Sequence, residues 1–198
     1  SFVLHQMFRV RWAQWNAVAP VRQDEICAEA SAALAAMEQT GSALYSTVGH
    51  KGDIMLLHFR PSLDGLNEAE LALSRLALWE MLEPAASYVS VVELGLYEST
   101  SKIRNTLAGE GLEPGSAAWD QRVEGELARQ RKAMEPRLYP AVPAQRYICF
   151  YPMDRKRGEI KNWYRLPFED RARQMHEHGL VGRRYAGQVK QIISGSIG

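Results

Sequence analysis

Long apolar runs are missing from this chain: nowhere do its 198 residues approach the ~20 consecutive apolar positions of a membrane-spanning helix, so no span is expected. Cysteine is almost missing too. Cys27 and Cys149 stand far apart, with no CxxC or metal-ligand spacing, which excludes a disulfide framework and a cysteine zinc site. Both read as reduced core thiols. Nor does either sign of charge dominate: 24 Lys and Arg balance 23 Asp and Glu, for a formal net charge of +1. That removes the global basic field expected of a nucleic-acid or anionic-membrane binder, so any anion site must be local. The opening residues Ser1-Phe2-Val3-Leu4-His5-Gln6 carry no basic leader followed by an apolar stretch. Together with reduced thiols, this gives a cytoplasmic expectation.

What is present suits a globular protein, with 46% hydrophobic and 24% charged residues, well away from the composition of disordered chains. Phe2, Leu4, Phe8 and Val10 share one parity, as in a half-buried first strand between Phe2 and Trp12. Pro20 then opens a segment with Ile26, Ala30, Ala33, Leu34 and Met37 at helical spacing, and Gly41 follows it. Two β-prone runs, Ala43 to Val48 and Ile54 to Phe59, flank a polar Gly-containing turn and form an expected hairpin. A second helix is expected from about Asn67 through Leu73, Leu76 and Trp79 to a stop at Pro84, then a strand from Tyr88 to Tyr97.

The order β-α-β-β-α-β is the ferredoxin-like pattern, with two helices on one face of an antiparallel sheet and the other face open to a partner. Residues 1–97 would be one such half. Residues 98–143 read as a linker holding a charged helix from Asp120 to Met134 and the prolines 136, 140 and 143. Residues 144–198 read as the start of a second half: a strand from Arg146 to Tyr151, a helix from Pro167 to His178 stopped by Gly179, and a strand from Gln188 to Ser194. The expected class is α+β, with tandem ferredoxin-like halves and an incomplete C-terminal half.

The densest group of chemically informative residues follows Arg137. It runs Arg137-Leu138-Tyr139-Pro140, then Tyr151-Pro152-Met153-Asp154-Arg155-Lys156-Arg157, Asn162-Trp163-Tyr164, and His178-Gly179-Leu180-Val181-Gly182-Arg183-Arg184-Tyr185-Ala186-Gly187-Gln188-Val189-Lys190-Gln191. These strings resemble the coproheme decarboxylases of the Firmicutes type, within the chlorite dismutase superfamily. The resemblance is strongest over the last third of the chain; the earlier part agrees mainly in element order. It implies sheets that close into a dimeric α+β barrel, subunits in a ring of five, and hydrogen-peroxide-dependent conversion of Fe-coproporphyrin III (coproheme) to heme b. It also implies transient contact with the coproporphyrin ferrochelatase.

Carried over position by position, the resemblance makes His178 the axial iron ligand, a role suited to a neutral imidazole. A histidine near a helix end is, by itself, an ordinary surface or capping residue. Gln191 matches the distal position, where chlorite-decomposing relatives carry arginine; an amide can donate a hydrogen bond but is no acid–base catalyst near neutral pH. Tyr151 matches the redox-active tyrosine, and without that context would be an unremarkable strand-end phenol. Arg137 and Arg155 match propionate-binding positions. At Arg155 the family carries lysine; arginine preserves the charge but does not readily give up a proton. Met153 and Trp163 are expected to line the pocket or its surroundings, Met153 on the distal side, and both are equally explicable as core. Three readings stay open: the decarboxylase, a chlorite dismutase-like heme peroxidase or oxidoreductase, and a non-catalytic ferredoxin-like module. Tyr151 with Gln191 favours the first, and His178 disfavours the third.

Overall fold

The computed structural model describes residues 1–49, 52–94, 102, 103, 105–107 and 109–197. The chain divides into two compact units, residues 1–93 with 136–142 and 192–198, and residues 94–135 with 143–191.

Unit 1 contains the sheet. Its strands are β1 (Phe2–Val10), β2 (Ser42–Ser46), β3 (Ile54–Arg60), β4 (Leu82–Val92) and β5 (Ser194–Ser196), in the order β2-β3-β1-β4-β5. Every pairing is antiparallel, with Leu4 opposite both His58 and Val89. The first four strands, with α2 (Pro20–Glu38) and α3 (Leu63–Ser74) between them, have the ferredoxin-like order expected from the sequence. The α+β class holds.

The period-2 pattern of β1 sends its alternate side chains to two different cores. On the helix-covered face, Phe8, Leu56, Leu73 and Leu82 are buried, and Leu34, Met37 and Trp79 pack around them. The Trp79 ring meets Phe8 edge to face at 5.5 Å. On the opposite face, Val3, Leu57, Phe59 and Val92 form a second cluster, with Tyr45, Val142 and Ile192 against it. Removing such side chains from water contributes about 1.5–3 kcal/mol each. The Ser1 amine donates to Leu138 O at 2.9 Å, tying the 136–142 segment to the start of β1.

Two glycines serve the β2–β3 hairpin. Gly41, at φ 90°, turns the chain from α2 into β2, a backbone conformation that side chains with a Cβ rarely adopt. A Cβ on Gly52 would stand 2.8 Å from Phe8 O. Beside it, Asp53 N donates to Phe8 O at 2.7 Å, and the Asp53 carboxylate accepts from Val10 N at 2.7 Å, so the hairpin connection is bonded back onto β1.

Several expectations are corrected. Trp12 does not extend β1 but opens a short helix, α1 (Trp12–Ala17). α3 starts at Leu63, not Asn67, because Ser62 Oγ accepts from Gly65 N and caps it. It ends at Ser74, and Trp79 lies in a 3-10 turn, Ala77–Met81. Pro84 is no stop: β4 begins before it at Leu82, and the pairing with β1 slips there, from Met7 with Ala86 to Phe8 with Pro84. A bulge is where a strand tolerates a residue without an N–H. The far end of the expected strand, 95–97, lies outside the described residues. Both cysteines are exposed, not core: Cys27 lies on the outer side of α2 and Cys149 in extended chain.

Candidate functional site

Unit 2 holds most of the residues singled out from the sequence. Its first long helix, α4 (Ala117–Leu138), begins at a Ser116 cap that accepts from Trp119 N at 3.2 Å. It carries Asp120 in the first turn and Arg137 in the last, a distribution that suits the helix dipole. Exposed Arg122 and Arg129 both pair with Glu126, contacts that contribute little individually. The helix is longer than the sequence pattern indicated, and Pro136 falls in its final turn. Arg137 is exposed; it belongs to the 136–142 segment of unit 1.

Residues 146–151 form no strand: Arg146 lies in a bend, and 147–151 have no regular secondary structure. Their apolar run is strand-like, yet no strand pairs with it among the described residues, and periodicity alone does not supply a partner. Tyr151 is 57% exposed and Met153 80% exposed. Neither makes a side-chain hydrogen bond among the described residues. The chain then doubles back. Arg157 and Asn162 form an isolated antiparallel bridge, Gly158 N donates to Lys161 O at 3.0 Å, and Trp163 N donates to Lys156 O at 2.9 Å. Asn162 Oδ1 accepts from Tyr164 N at 2.9 Å. Across this turn the Arg155 guanidinium lies 4.3 Å from the centre of the Trp163 ring, and Arg157 lies 4.6 Å from that of Tyr164.

The second long helix, α5 (Phe168–Arg183), has Glu169 and Asp170 in its first turn and Arg183 in its last. It does not stop at Gly179. An interior glycine costs only about 1 kcal/mol, and the helix continues through Leu180 and Val181. His178 therefore sits within the helix, not at its end. Its imidazole is exposed and makes no hydrogen bond or ion pair among the described residues. After a turn in which Val189 N donates to Tyr185 O at 2.8 Å, the chain to Ile193 has no regular secondary structure, Ile193 O accepts from Glu93 N at 2.8 Å, and the strand itself is β5 at Ser194–Ser196. Gln191 lies in that irregular stretch, exposed.

Of the six residues named from sequence, Tyr151, Met153, Arg155, His178 and Gln191 fall in unit 2 and Arg137 in unit 1. Only Arg155 is held by a defined neighbouring side chain, and that neighbour, Trp163, is expected from sequence in the pocket or its surroundings and is equally explicable there as core. A glycine at position 158 is the sequence signal for the turn that brings the two together.

These residues fit an iron porphyrin. No three His, Cys, Asp or Glu side chains cluster as metal ligands among the described residues, whereas a porphyrin brings four nitrogens and asks the protein for an axial one. A partner-free imidazole meets that need. A flat macrocycle also needs apolar surface, and unit 2 leaves Tyr147, Met153, Leu180, Val181, Tyr185 and Val189 exposed.

Comparison with known proteins agrees. A protein of Natronomonas pharaonis, provisionally named as heme-binding, is 38% identical over 206 aligned positions that take in 100% of this chain. The chain spans only 31% of that protein's length. A solved structure of a novel heme-binding protein from Thermus thermophilus superposes with a TM-score of 0.77 at 34% identity, covering 98% of this chain and 70% of that one. The family model for chlorite dismutase matches residues 23–198, and the chain belongs to the chlorite dismutase family.

Proposed function

We propose that this chain carries the hydrogen-peroxide-dependent decarboxylation of coproheme to heme b. The observation that supports it most directly is that one unit carries both an exposed His178 imidazole without a hydrogen-bond or ion-pair partner among the described residues and a Tyr151 phenol that is 57% exposed. Fe-coproporphyrin III would be both substrate and redox centre, with its iron reducing peroxide.

In this reading His178 supplies the axial nitrogen. Arg137 and Arg155 pair with propionates, whose charge is costly to bury without a cation. Gln191, with Met153 beside the distal pocket, donates a hydrogen bond without adding charge. Tyr151 gives up its phenolic hydrogen and then takes one from the β-carbon of a propionate. The carboxylate leaves as carbon dioxide and a vinyl group remains. Each event converts one propionate, one peroxide and one proton into a vinyl group, carbon dioxide and two waters, and two events give heme b. The same reading carries a cytoplasmic ring of five subunits and transient contact with the ferrochelatase that makes coproheme.

The family name favours a second reading, a chlorite dismutase-like heme oxidoreductase. Neutral Gln191 weighs against it, because an anionic oxychlorine substrate is better served by a cation.

Purified protein titrated with ferric coproporphyrin III should show a Soret shift. Added peroxide should then produce a three-propionate species followed by heme b, resolved by mass spectrometry. Bound porphyrin that never loses carbon dioxide would favour the second reading. Tyr151→Phe should keep porphyrin affinity within about threefold and slow decarboxylation by roughly a hundredfold or more; product formed at the normal rate would remove Tyr151 from the chemistry.

A further inference from the structure

We propose that Trp163 is a positioning residue which holds Arg155 as a fixed carboxylate clamp, so that the turn 154–165 selects a porphyrin with four carboxylates over one with two. The inference rests on the heme reading above and deepens it by naming what sets substrate choice.

Two cation–aromatic pairs cross this turn, and they differ. Arg157 is engaged by neighbouring side chains: it lies over Tyr164, donates to the Tyr164 hydroxyl at 3.1 Å, and faces the Asp154 carboxylate at 3.8 Å. Its work is to close the turn. Arg155 lies closer to its ring, at 4.3 Å, yet its side chain has no ion pair or hydrogen bond among the described residues; only its backbone N is engaged, by Asp154 Oδ1 at 2.8 Å.

Stacking occupies the face of a guanidinium and leaves its edge free. That edge carries the paired N–H groups that grip a carboxylate in two parallel bonds. The Arg155 side chain is exposed, while Trp163 is half-buried and its backbone is bonded to Lys156 O, so the platform is fixed and the cation it carries is presented outward. A charge already held in place loses less rotamer freedom when a carboxylate arrives. Lysine has no planar face to be held in this way, so arginine at this position goes together with the indole beneath it.

The test is a Soret titration of the full chain with ferric coproporphyrin III and, separately, ferric protoporphyrin IX, at fixed salt. Trp163→Leu should weaken coproporphyrin binding roughly tenfold and protoporphyrin binding less than about twofold. Trp163→Phe, which retains a ring, should stay within about threefold of the parent for both. Arg155→Gln should reproduce the selective loss, and adding Trp163→Leu to it should cost nothing more. A selective loss that disappears in the Arg155→Gln background supports the clamp. Equal weakening of both porphyrins by Trp163→Leu, or the same weakening with and without Arg155, overturns it and leaves the heme reading standing. A parent protein that binds neither porphyrin defeats the heme reading and this inference together. Independently of ligand and of any variant's folding, the Arg155 Nε–H resonance of the parent protein should show the upfield ring-current shift of a group over an indole; its absence also overturns the clamp.

Discussion

Leu107 apart, every buried apolar side chain among the described residues lies in unit 1. There, the two faces of one sheet each have a cluster of their own. In unit 2 neither α4 nor α5 contains a buried residue, and aromatic and aliphatic groups from Tyr147 to Val189 face outward. Burial is the main favourable term in folding, so the two regions are held by different means. Unit 1 has the density of a self-sufficient core. Unit 2 is shaped by helix dipoles, exposed ion pairs and one cation–aromatic turn, and leaves apolar side chains exposed.

Changes in the core give the sharpest way to break this contrast. Phe8→Ala removes a side chain that is 1% exposed from the centre of the helix-side cluster and should cost about 3–5 kcal/mol in denaturant unfolding. A loss near zero would mean that the cluster is not what holds unit 1.

Acid should act on unit 1 as well. Burial holds the His5 pKa down to about 4. For His58, burial and then the nearby Arg60 charge do the same, also to about 4. In the unfolded chain both would titrate near 6.5. Each is neutral in the fold while the unfolded form gains a proton, so this stabilisation is complete above pH 6.5 and is lost as pH falls toward 4. The loss is of order 3 kcal/mol per histidine, and urea midpoints measured across that window should show it. In the His58 cluster, Arg60 donates to Ser42 Oγ at 2.9 Å and Ser42 Oγ lies 2.7 Å from His58 Nδ1. His58→Gln should therefore flatten the pH slope by about half, and an unchanged slope would place the titration elsewhere.

A smaller effect is expected from Asp53→Ala, which leaves Val10 N without its acceptor and should cost about 1–2 kcal/mol. The smallest belongs to unit 2. Leu180 is 47% exposed, so Leu180→Ala should change ligand-free stability by less than about 0.5 kcal/mol. It should still weaken coproporphyrin binding severalfold. A large loss of stability from Leu180→Ala would erase the contrast.

The same division explains what could be read from the sequence. In unit 1 strand and helix periodicities are strong, so the element order is legible from Phe2, Leu4, Phe8 and Val10 and from Ile26 to Met37, although only β2–β3 and β4–β5 pair as neighbours in sequence. The errors there were at boundaries. Pro84 reads as a stop because nothing local announces the bulge that accommodates it, and the Asn67 pattern resembles a helix start although Ser62 is the cap. In unit 2 the apolar string at 146–151 was read as a strand, but a strand is defined by its partner, and pairing is not local information. Gly179 was read as a terminus although one glycine is a weak breaker. Site residues were legible as types, through the strings around Tyr151, His178 and Gln191. The Arg155–Trp163 contact was not, because it exists only once the chain turns at Gly158.

The central claim is that unit 2 is a surface completed by a porphyrin, and amide hydrogen exchange with and without ferric coproporphyrin III tests it most directly. Protection should rise within residues 143–191, most of all around Tyr151 and His178, and stay unchanged in β1, β3 and α3. Protection confined to unit 1, or none anywhere at saturating porphyrin, would contradict the account.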